Sequence, residues 1–312
     1  MEKIKVIAVV GPTASGKTAL AVEIAKKYNG EVVSFDSMQI YKGMNIASAK
    51  PTEDEMQGIA HHLISEKEND ERYSVACFVE DAKKICFDIS ERGKLPVLCG
   101  GTGLYIDSFV NNIEFIDEGF NEKIRDDLRI RFKNEGADKL YNELKSIDKA
   151  YADSVEPNNT KRVLRALELY YNTGIKMSEQ IENSKKNESD FSALYIGLNF
   201  SDRNILYDRI NRRVDKMISS GLVEEAREFI TQTDIKTANQ AIGIKELKPY
   251  FDGEISLEDA IEKIKQQTRR YAKRQLTWFN RNKDIHWIFA DKTQFVTNDA
   301  FELVDGFLKG AN

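Results

Sequence analysis

The chain has 312 residues, of which 41% are hydrophobic and 31% are charged, a composition typical of a globular protein of about two domains. Its net charge of −5 argues against nucleic-acid binding by the surface as a whole but leaves room for a local basic stripe. The first apolar run, at 6–10, is too short to span a membrane, and three cysteines without C-x-x-C spacing indicate neither a disulfide framework nor a zinc site. We therefore expect a cytoplasmic protein without a targeting segment or membrane association.

The first part of the chain alternates strand and helix patterns. Strands are predicted at 5–10, 31–37 and 95–99, and helices at 18–28 and 74–92. Because strands that alternate with helices pair in parallel, this order predicts an α/β fold with a parallel sheet core flanked by helices.

The composition changes from about residue 112 to residue 190, a stretch rich in Lys, Glu, Asp and Asn. Only helices are predicted there, at 120–134, 137–145 and 159–171, followed by a polar loop at 183–190. We interpret 112–193 as an all-helical domain inserted into an α/β core made of 1–111 and 194–312. The returning core has predicted strands at 194–200 and, as an edge strand, 286–290, and predicted helices at 203–219, 222–231, 257–281 and 300–308.

A phosphate-binding loop follows the first strand. The residues Gly11-Pro12-Thr13-Ala14-Ser15-Gly16-Lys17-Thr18 fit the pattern G-x-x-x-x-G-K-[ST] at every defined position. In this context the loop amides and the helix N-terminus attract phosphate oxygens, Lys17 adds a point charge, and the Thr18 hydroxyl is suited to join a Mg²⁺ shell. The motif predicts a P-loop site for a nucleotide such as ATP or for a diphosphate, but it does not identify a reaction.

Two further sites are predicted at strand ends, where open α/β sheets place their chemistry. Asp36 ends the second strand beside the phosphate loop, so its carboxylate can bind a proton or a Mg²⁺-bound water; a helix cap or loop role is the alternative. Thr102 lies in the glycine-rich turn at 100–105, where its hydroxyl can approach a ligand, although a plain strand-to-helix turn would have the same sequence.

The predicted helix near the C-terminus is strongly basic. Lys265, Arg269 and Lys273 are spaced by four residues and therefore share a helix face, and Arg270 and Arg274 lie beside them with interleaved aromatic residues. Cationic stripes with aromatic residues suit an RNA backbone and unstacked bases. A solvated face that packs its aromatic residues inward is the alternative.

In these residues the chain resembles the tRNA dimethylallyltransferases, also called tRNA isopentenyltransferases, of the bacterial type. The matching blocks, in family order, are the phosphate loop, 36–41, 49–51, 61–63, 100–105, 161–168, 240–246 and 268–275. They extend over nearly the whole chain and are far more specific than the phosphate loop alone. One departure is Ala47-Ser48, where the family commonly has Gly-Thr before Ala-Lys-Pro.

The resemblance implies a P-loop NTPase-like fold and a prenyltransferase reaction. A dimethylallyl group would pass from dimethylallyl diphosphate to N6 of the adenosine just 3′ of the anticodon in tRNA, releasing diphosphate, with Mg²⁺ as cofactor. The expected partners are tRNA, through its anticodon stem-loop, and dimethylallyl diphosphate, and we expect a monomer.

The resemblance also suggests site residues. The expected catalytic residues are Asp36, Thr102 and Lys17, and the metal ligand is Thr18. The diphosphate would contact residues 11–18, and Arg209 and Arg213 are candidates for the diphosphate or the RNA backbone, with ion pairs to Asp202, Asp208 or Asp215 as the alternative. The expected tRNA contacts are Asp36, Ser37, Met38, Gln39 and Thr102 at the target base, Lys161, Arg162, Val163, Leu164 and Arg165 in the insertion, and Arg269, Arg270, Lys273 and Arg274 in the basic helix.

Two rival functions use the same residues differently. A small-molecule or nucleotide kinase would transfer the γ-phosphate of ATP, and an RNA-binding NTPase or adaptor would transfer no group. Only a transferase needs the phosphate loop, the strand-end carboxylate and the basic helix together. For His61 and His62, positioning or packing is favoured over metal binding because neighbouring residues do not share a face and no third ligand is evident.

Overall fold

The computed structural model describes residues 3–115, 121–184, 188–231 and 241–310. The chain forms two compact units, one made of Met1–Val110 with Asp190–Asn312 and the other of Asn111–Ser189. In the described residues, no helix is both long and apolar enough to cross a bilayer.

The first unit contains a sheet of six parallel strands. The strands are β1 (Ile4–Val10), β2 (Gly30–Ser34), β3 (His61–His62), β4 (Leu95–Cys99), β5 (Phe191–Asn199) and β6 (Ile285–Phe289), in the spatial order β3-β2-β4-β1-β5-β6. Ile7 of β1 pairs with Val97 of β4 on one side and with Leu194 of β5 on the other. β1 is therefore central, and its carboxyl end lies between those of β4 and β5.

Fourteen helices are found among the described residues. Four helices of the first unit precede the second unit in sequence: α1 (Lys17–Lys27), α2 (Glu53–Met56), α3 (Val75–Glu91) and α4 (Gly103–Val110). Five more follow it: α10 (Arg203–Ser219), α11 (Leu222–Thr231), α12 (Lys248–Phe251), α13 (Leu257–Phe279) and α14 (Val296–Lys309). The helices of the second unit are α5 (Glu122–Glu135), α6 (Ala137–Ile147), α7 (Lys149–Ala152), α8 (Thr160–Thr173) and α9 (Met177–Ser184).

Each unit has its own apolar core. In the first, the buried side chains of Ile7, Val97 and Ile196 on the sheet pack with Ile24 of α1 and Val304 of α14. Burial on both faces explains why these strands are almost uninterrupted apolar runs. In the second unit the buried positions recur at helical spacing and come from three helices: Leu128, Leu140, Leu144, Val163 and Leu167.

The structure confirms the α/β fold class and most of the predicted elements, with shifts at their ends. β2 ends at Ser34 rather than at residue 37, because the chain leaves the sheet to form a turn in which Met38 N–H donates to Asp36 Oδ1. β5 begins at Phe191 rather than at residue 194.

The helices and the strand that the sequence patterns did not predict are all short. β3, α2, α7 and α12 have two to four residues, too few for a period to be visible, and α4 and α9 have eight each. The predicted loop at 183–190 is wrong at its start, since α9 extends to Ser184. Residues 185–187 of that loop, residue 120 of a predicted helix and residue 240 of a matching block lie outside the described residues.

Candidate active site at the carboxyl ends of the strands

The phosphate loop joins β1 to α1 in a conformation that its sequence makes possible. Gly11, Ala14 and Gly16 have φ angles of 138°, 63° and 103°. At Gly11 a Cβ atom would lie 2.3 Å from the Leu198 carbonyl oxygen, so only glycine fits between β1 and β5. α1 begins at Lys17 without a side-chain cap, which leaves its N-terminal amides available to an anion.

Lys17 is held beneath this loop. Its Nζ donates to the Pro12 carbonyl oxygen at 2.7 Å. The pKa of Lys17 is lowered to about 8, chiefly by burial and also by the nearby Arg213 charge, against the opposing effects of Cys99 and Asp36. The side chain is therefore a cation at neutral pH that has little solvent to stabilise it, so a bound anion would relieve a real cost.

Asp36 lies just beyond the carboxyl end of β2, next to these cations. Its Oδ1 accepts from the Met38 N–H at 2.9 Å, which fixes the orientation of the carboxyl group. Burial raises the pKa of Asp36, and this outweighs the lowering by the Met38 amide and by the charges of Lys17 and Arg213. A carboxylate with a raised pKa, oriented next to a phosphate loop, is suited to accept a proton.

Thr102 belongs to the turn between β4 and α4 and contacts the Asp36 turn. Its Oγ1 accepts from the Ser37 N–H at 3.2 Å. Tyr271 from α13 also lies close to Thr102. The structure thus brings Lys17, Asp36 and Thr102 to one edge of the sheet, as the strand-end argument predicts.

Gln39 is engaged within the protein. Its Oε1 accepts from the Ser34 hydroxyl at 2.9 Å, and its Nε2 donates to the carbonyl oxygens of Ser48 and Ala49 at 3.4 and 3.3 Å. The segment that it contacts is also held from α11, since the Glu225 carboxylate accepts from the amides of residues 45, 46 and 47. The Ala47-Ser48 departure therefore lies in a well-anchored loop.

Arg209 contacts the phosphate loop, and Arg213 lies near Lys17 and the carboxyl groups of Asp36 and Glu55. Arg209 Nε donates to the Ala14 carbonyl oxygen at 2.9 Å, and its guanidinium lies 5.1 Å from the centre of the Phe200 ring. The charge of Arg213 acts on both Lys17 and Asp36. In the described part of the chain neither arginine forms an ion pair with the aspartates considered above: Asp215 binds Lys265, and the Asp202 carboxylate caps α10.

The basic helix α13 divides into two parts. Lys265 Nζ lies 2.8 Å from an oxygen of Asp215, and Arg269 donates to Asn211 Oδ1 at 2.5 Å, so both are half-buried against α10. Arg270, Lys273 and Arg274 are exposed. The shared face predicted from the spacing of four is real, but α10 covers its first two members.

In the second unit, the predicted RNA-contacting segment forms the start of α8. Lys161, Arg162 and Arg165 are exposed, and Arg165 lies 3.4 Å from Glu168. Val163 is buried and Leu164 packs partly buried in the core of the unit, so their side chains support the helix rather than face outward.

His61 and His62 have local hydrogen-bond partners. The Nδ1 of His61 lies 2.9 Å from the Ile59 carbonyl oxygen, and the Nε2 of His62 lies 2.8 Å from an oxygen of Glu31. Both residues form β3, at the edge of the sheet.

Sequence patterns missed two residues of α13 that reach the site. Gln275 is 5% exposed and contacts both the phosphate loop and the Thr102 turn, and Trp278 donates to Asp107 Oδ2 at 2.6 Å while its ring packs where a side chain at Gly103 would lie. The 268–275 block marks this region, but helical spacing alone does not tell which of its residues point to the sheet.

Comparison with known proteins agrees with this geometry. The family described as IPP transferase matches residues 39–282, and the family described as isopentenyl transferase matches residues 4–73. The tRNA dimethylallyltransferase of Caldanaerobacter subterraneus subsp. tengcongensis is 47% identical over 313 residues, which cover 98% of this chain and 99% of that protein.

Two solved structures are also similar. The tRNA isopentenylpyrophosphate transferase of Bacillus halodurans has a TM-score of 0.71 and 40% identity, with 99% of each chain covered. A eukaryotic dimethylallyltransferase acting on tRNA has a TM-score of 0.84 and 32% identity, covering 99% of this chain and 80% of that one. With similarity over its full length, and with the phosphate loop, Asp36 and Thr102 assembled at one edge of a parallel sheet, the chain belongs to the tRNA dimethylallyltransferase family.

Proposed function

We propose that this protein transfers a dimethylallyl group from dimethylallyl diphosphate to N6 of the adenosine 3′-adjacent to the anticodon in tRNA, releasing diphosphate. The observation that carries the proposal is the juxtaposition of the half-buried Lys17 ammonium in a phosphate loop with the oriented, half-buried Asp36 carboxyl. Membership of the family supports the choice of the two substrates.

On the donor side, the diphosphate would occupy the loop formed by residues 11–18. The amides at the start of α1, Lys17 and the guanidinium groups of Arg209 and Arg213 converge there. The Ser15 hydroxyl is buried and has no hydrogen-bond partner among the described residues, so an anion oxygen would satisfy it. These groups would stabilise the charge that develops on the diphosphate as the allylic C–O bond breaks.

Mg²⁺ fits the same place. The Thr18 hydroxyl offers an oxygen ligand there, and Mg²⁺ sites of this type use one or two protein oxygens together with those of the phosphates. Bound there, the ion would neutralise charge on the leaving diphosphate.

On the acceptor side, the adenine would be extruded from the anticodon loop toward Asp36 and Thr102. As N6 forms its bond to the allylic carbon it loses a proton, which the Asp36 carboxylate would accept. The Met38 amide holds the Asp36 carboxyl in place, and Thr102 is held to the same turn through Ser37. Diphosphate and the proton are the only other products, so the reaction balances without an oxidant or reductant.

The basic surfaces would hold the rest of the tRNA. Exposed Arg270, Lys273 and Arg274 on α13 suit the RNA backbone in the first unit. In the second unit, Lys161, Arg162 and Arg165 at the start of α8 would grip the anticodon stem-loop. Ser37 and Met38 would line the entry of the flipped base, whereas Gln39 would act by holding the loop at 48–49.

The direct test is transfer from labelled dimethylallyl diphosphate to unmodified tRNA, followed by nucleoside analysis. We expect label in N6-dimethylallyladenosine and release of diphosphate by the wild type, and a large loss with Lys17→Ala. Replacing the donor with ATP should give no transfer. Phosphoryl transfer from ATP without alkylated adenosine would instead establish a kinase.

A further inference from the structure

Two loops of the site meet at one side chain, Gln275 of α13. Its Oε1 accepts from the Thr13 N–H of the phosphate loop at 2.8 Å, and its Nε2 donates to the Gly101 carbonyl oxygen at 3.0 Å. Tyr271, one turn earlier on α13, lies close to both Gln275 and Thr102. A single amide therefore links the loop proposed for the donor to the turn proposed for the acceptor.

The surroundings leave this amide no other arrangement. Gln275 is 5% exposed, so water does not compete for its hydrogen bonds. A Cβ atom at Gly101 would lie 2.0 Å from Gln275 Nε2, which means that the turn approaches the amide as closely as glycine permits. Both ends of the amide are used, and the roles of its O and N atoms follow from their partners, a backbone donor and a backbone acceptor.

We propose that Gln275 is a positioning residue, which fixes the spacing between the diphosphate loop and the Thr102 turn and so sets the distance between the two reacting groups. The proposal rests on the proposed function, because it requires a diphosphate in the loop. Gln275 touches neither substrate; it acts through Thr13 and Gly101. Since small misplacements of reacting groups cost large factors in rate, loss of this link lowers transfer more than it lowers stability.

The test compares Gln275→Met, which keeps the length of the side chain and removes both hydrogen bonds, with Gln266→Met. Gln266 is an exposed glutamine of the same helix, so this control makes the same chemical change away from the site. For Gln275→Met we expect kcat/KM for the donor to fall by about 10- to 100-fold. We expect the tRNA Kd to stay within about twofold of the wild type, because the exposed cations of α13 are unchanged.

Gly101→Ala tests the same link from the other side and remains informative if Gln275→Met does not fold. Its added methyl group would displace the Gln275 amide, so it should reproduce the loss of kcat/KM, and the two changes combined should be less than additive. Wild-type kinetics in folded Gln275→Met, or a loss confined to the thermal midpoint or to tRNA affinity, would overturn the positioning role.

Calorimetric binding of inorganic pyrophosphate gives a readout that does not require turnover. We expect weaker binding by Gln275→Met than by Gln266→Met, because the Thr13 amide loses its anchor. If the wild-type protein bound pyrophosphate but alkylated no tRNA, the proposed function would fail. The comparison of pyrophosphate binding between Gln275→Met and Gln266→Met would still test the link between Gln275 and the loop. If the wild type alkylated tRNA, and Gln275→Met and Gly101→Ala both matched it in transfer and in pyrophosphate binding, only the positioning role would fail.

Discussion

At the scale of single residues, Asp36 lies beside Lys17 and Arg213, and yet burial keeps its pKa above the ordinary value. Two nearby cations would lower the pKa in water, so desolvation is the dominant contribution here. Because its pKa is raised, the Asp36 carboxylate is a stronger base than an ordinary aspartate. Lys17 and Arg213 compensate its negative charge but do not take the proton from the amine. The residue is thus equipped for proton transfer.

We predict that Asp36→Asn lowers kcat by on the order of 10²–10⁴-fold with little effect on tRNA affinity, since the amide keeps an oxygen for the Met38 N–H but cannot accept the proton. Single-turnover rates and filter binding, measured in parallel, separate the two effects. Asp54→Asn on the exposed face of α2 is the control. A loss of affinity at unchanged kcat would assign Asp36 to binding alone.

Lys17 predicts an alkaline limb in the pH profile. Its pKa is lowered to about 8 in the free protein, so the ammonium that attracts the diphosphate is lost as the pH rises through that value. We expect kcat/KM for the donor to fall above about pH 8, with kcat less affected because a bound diphosphate stabilises the charged form. In Lys17→Arg the limb should disappear even if the rate is lower; a limb unchanged in that variant would come from another group.

The site residues that sequence could predict are those set by strand ends. Lys17, Asp36 and Thr102 each follow a strand closely, so a parallel sheet necessarily brings them together. The contact of Gln275 with Thr13 joins residues 262 positions apart and depends on which face of α13 meets the sheet. No local pattern contains that information.

At the scale of elements, α13 shows what a periodic pattern leaves open. The spacing predicted a long helix with a cationic face, and the helix is there. It does not tell which neighbour covers that face, and α10 takes up Lys265 and Arg269 through Asp215 and Asn211. Arg270, Lys273 and Arg274, in the C-terminal half of the helix, remain exposed.

We therefore predict that Arg274→Ala weakens tRNA binding more than Arg269→Ala does. Each lost phosphate contact should reduce the slope of log Kd against log salt by about one. Titrations at several salt concentrations give both slopes. If Arg270→Ala, Lys273→Ala and Arg274→Ala all had the same salt slope as the wild type, α13 would not be part of the RNA-binding surface.

At the scale of the whole molecule, a buried charge cluster secures the end of the sheet opposite the site. Glu31 of β2 is 4% exposed and accepts from Arg92 after α3, from Lys94 before β4 and from His62 of β3. These contacts tie three neighbouring segments to one strand. The bound cations hold the pKa of Glu31 well below its usual range.

Glu31→Gln should destabilise the protein by about 2 kcal/mol at pH 7, less than for a fully buried pair because Arg92 and Lys94 are partly exposed and can rehydrate. The folded pKa lies below the unfolded one, so this contribution is complete above the unfolded pKa and is lost as the pH falls toward the folded value. Urea denaturation at pH 7 and at lower pH should show that the difference in the free energy of unfolding between Glu31→Gln and the wild type becomes smaller as the pH falls. Glu80→Gln, in the exposed pair with Lys84, is the control and should leave the midpoint unchanged.

The overall architecture was largely predictable because strands buried on both faces and long amphipathic helices have patterns of their own. Short elements such as β3 and α7 were not, since two to four residues define no period and their formation depends on tertiary contacts. The order of the strands also had to come from the structure: β5 follows the whole second unit in sequence and yet pairs with β1.

That pairing has a consequence for synthesis of the protein. β1 is translated before the other strands of the sheet, but one of its two neighbours, β5, is translated only after the entire helical unit between them. Until then the nascent sheet has an open, apolar edge, which is a template for pairing with other chains. The helical unit has its own core and needs no partner from the sheet, so it can fold during the interval. The risk of pairing with other chains is therefore greatest between translation of β1 and translation of β5.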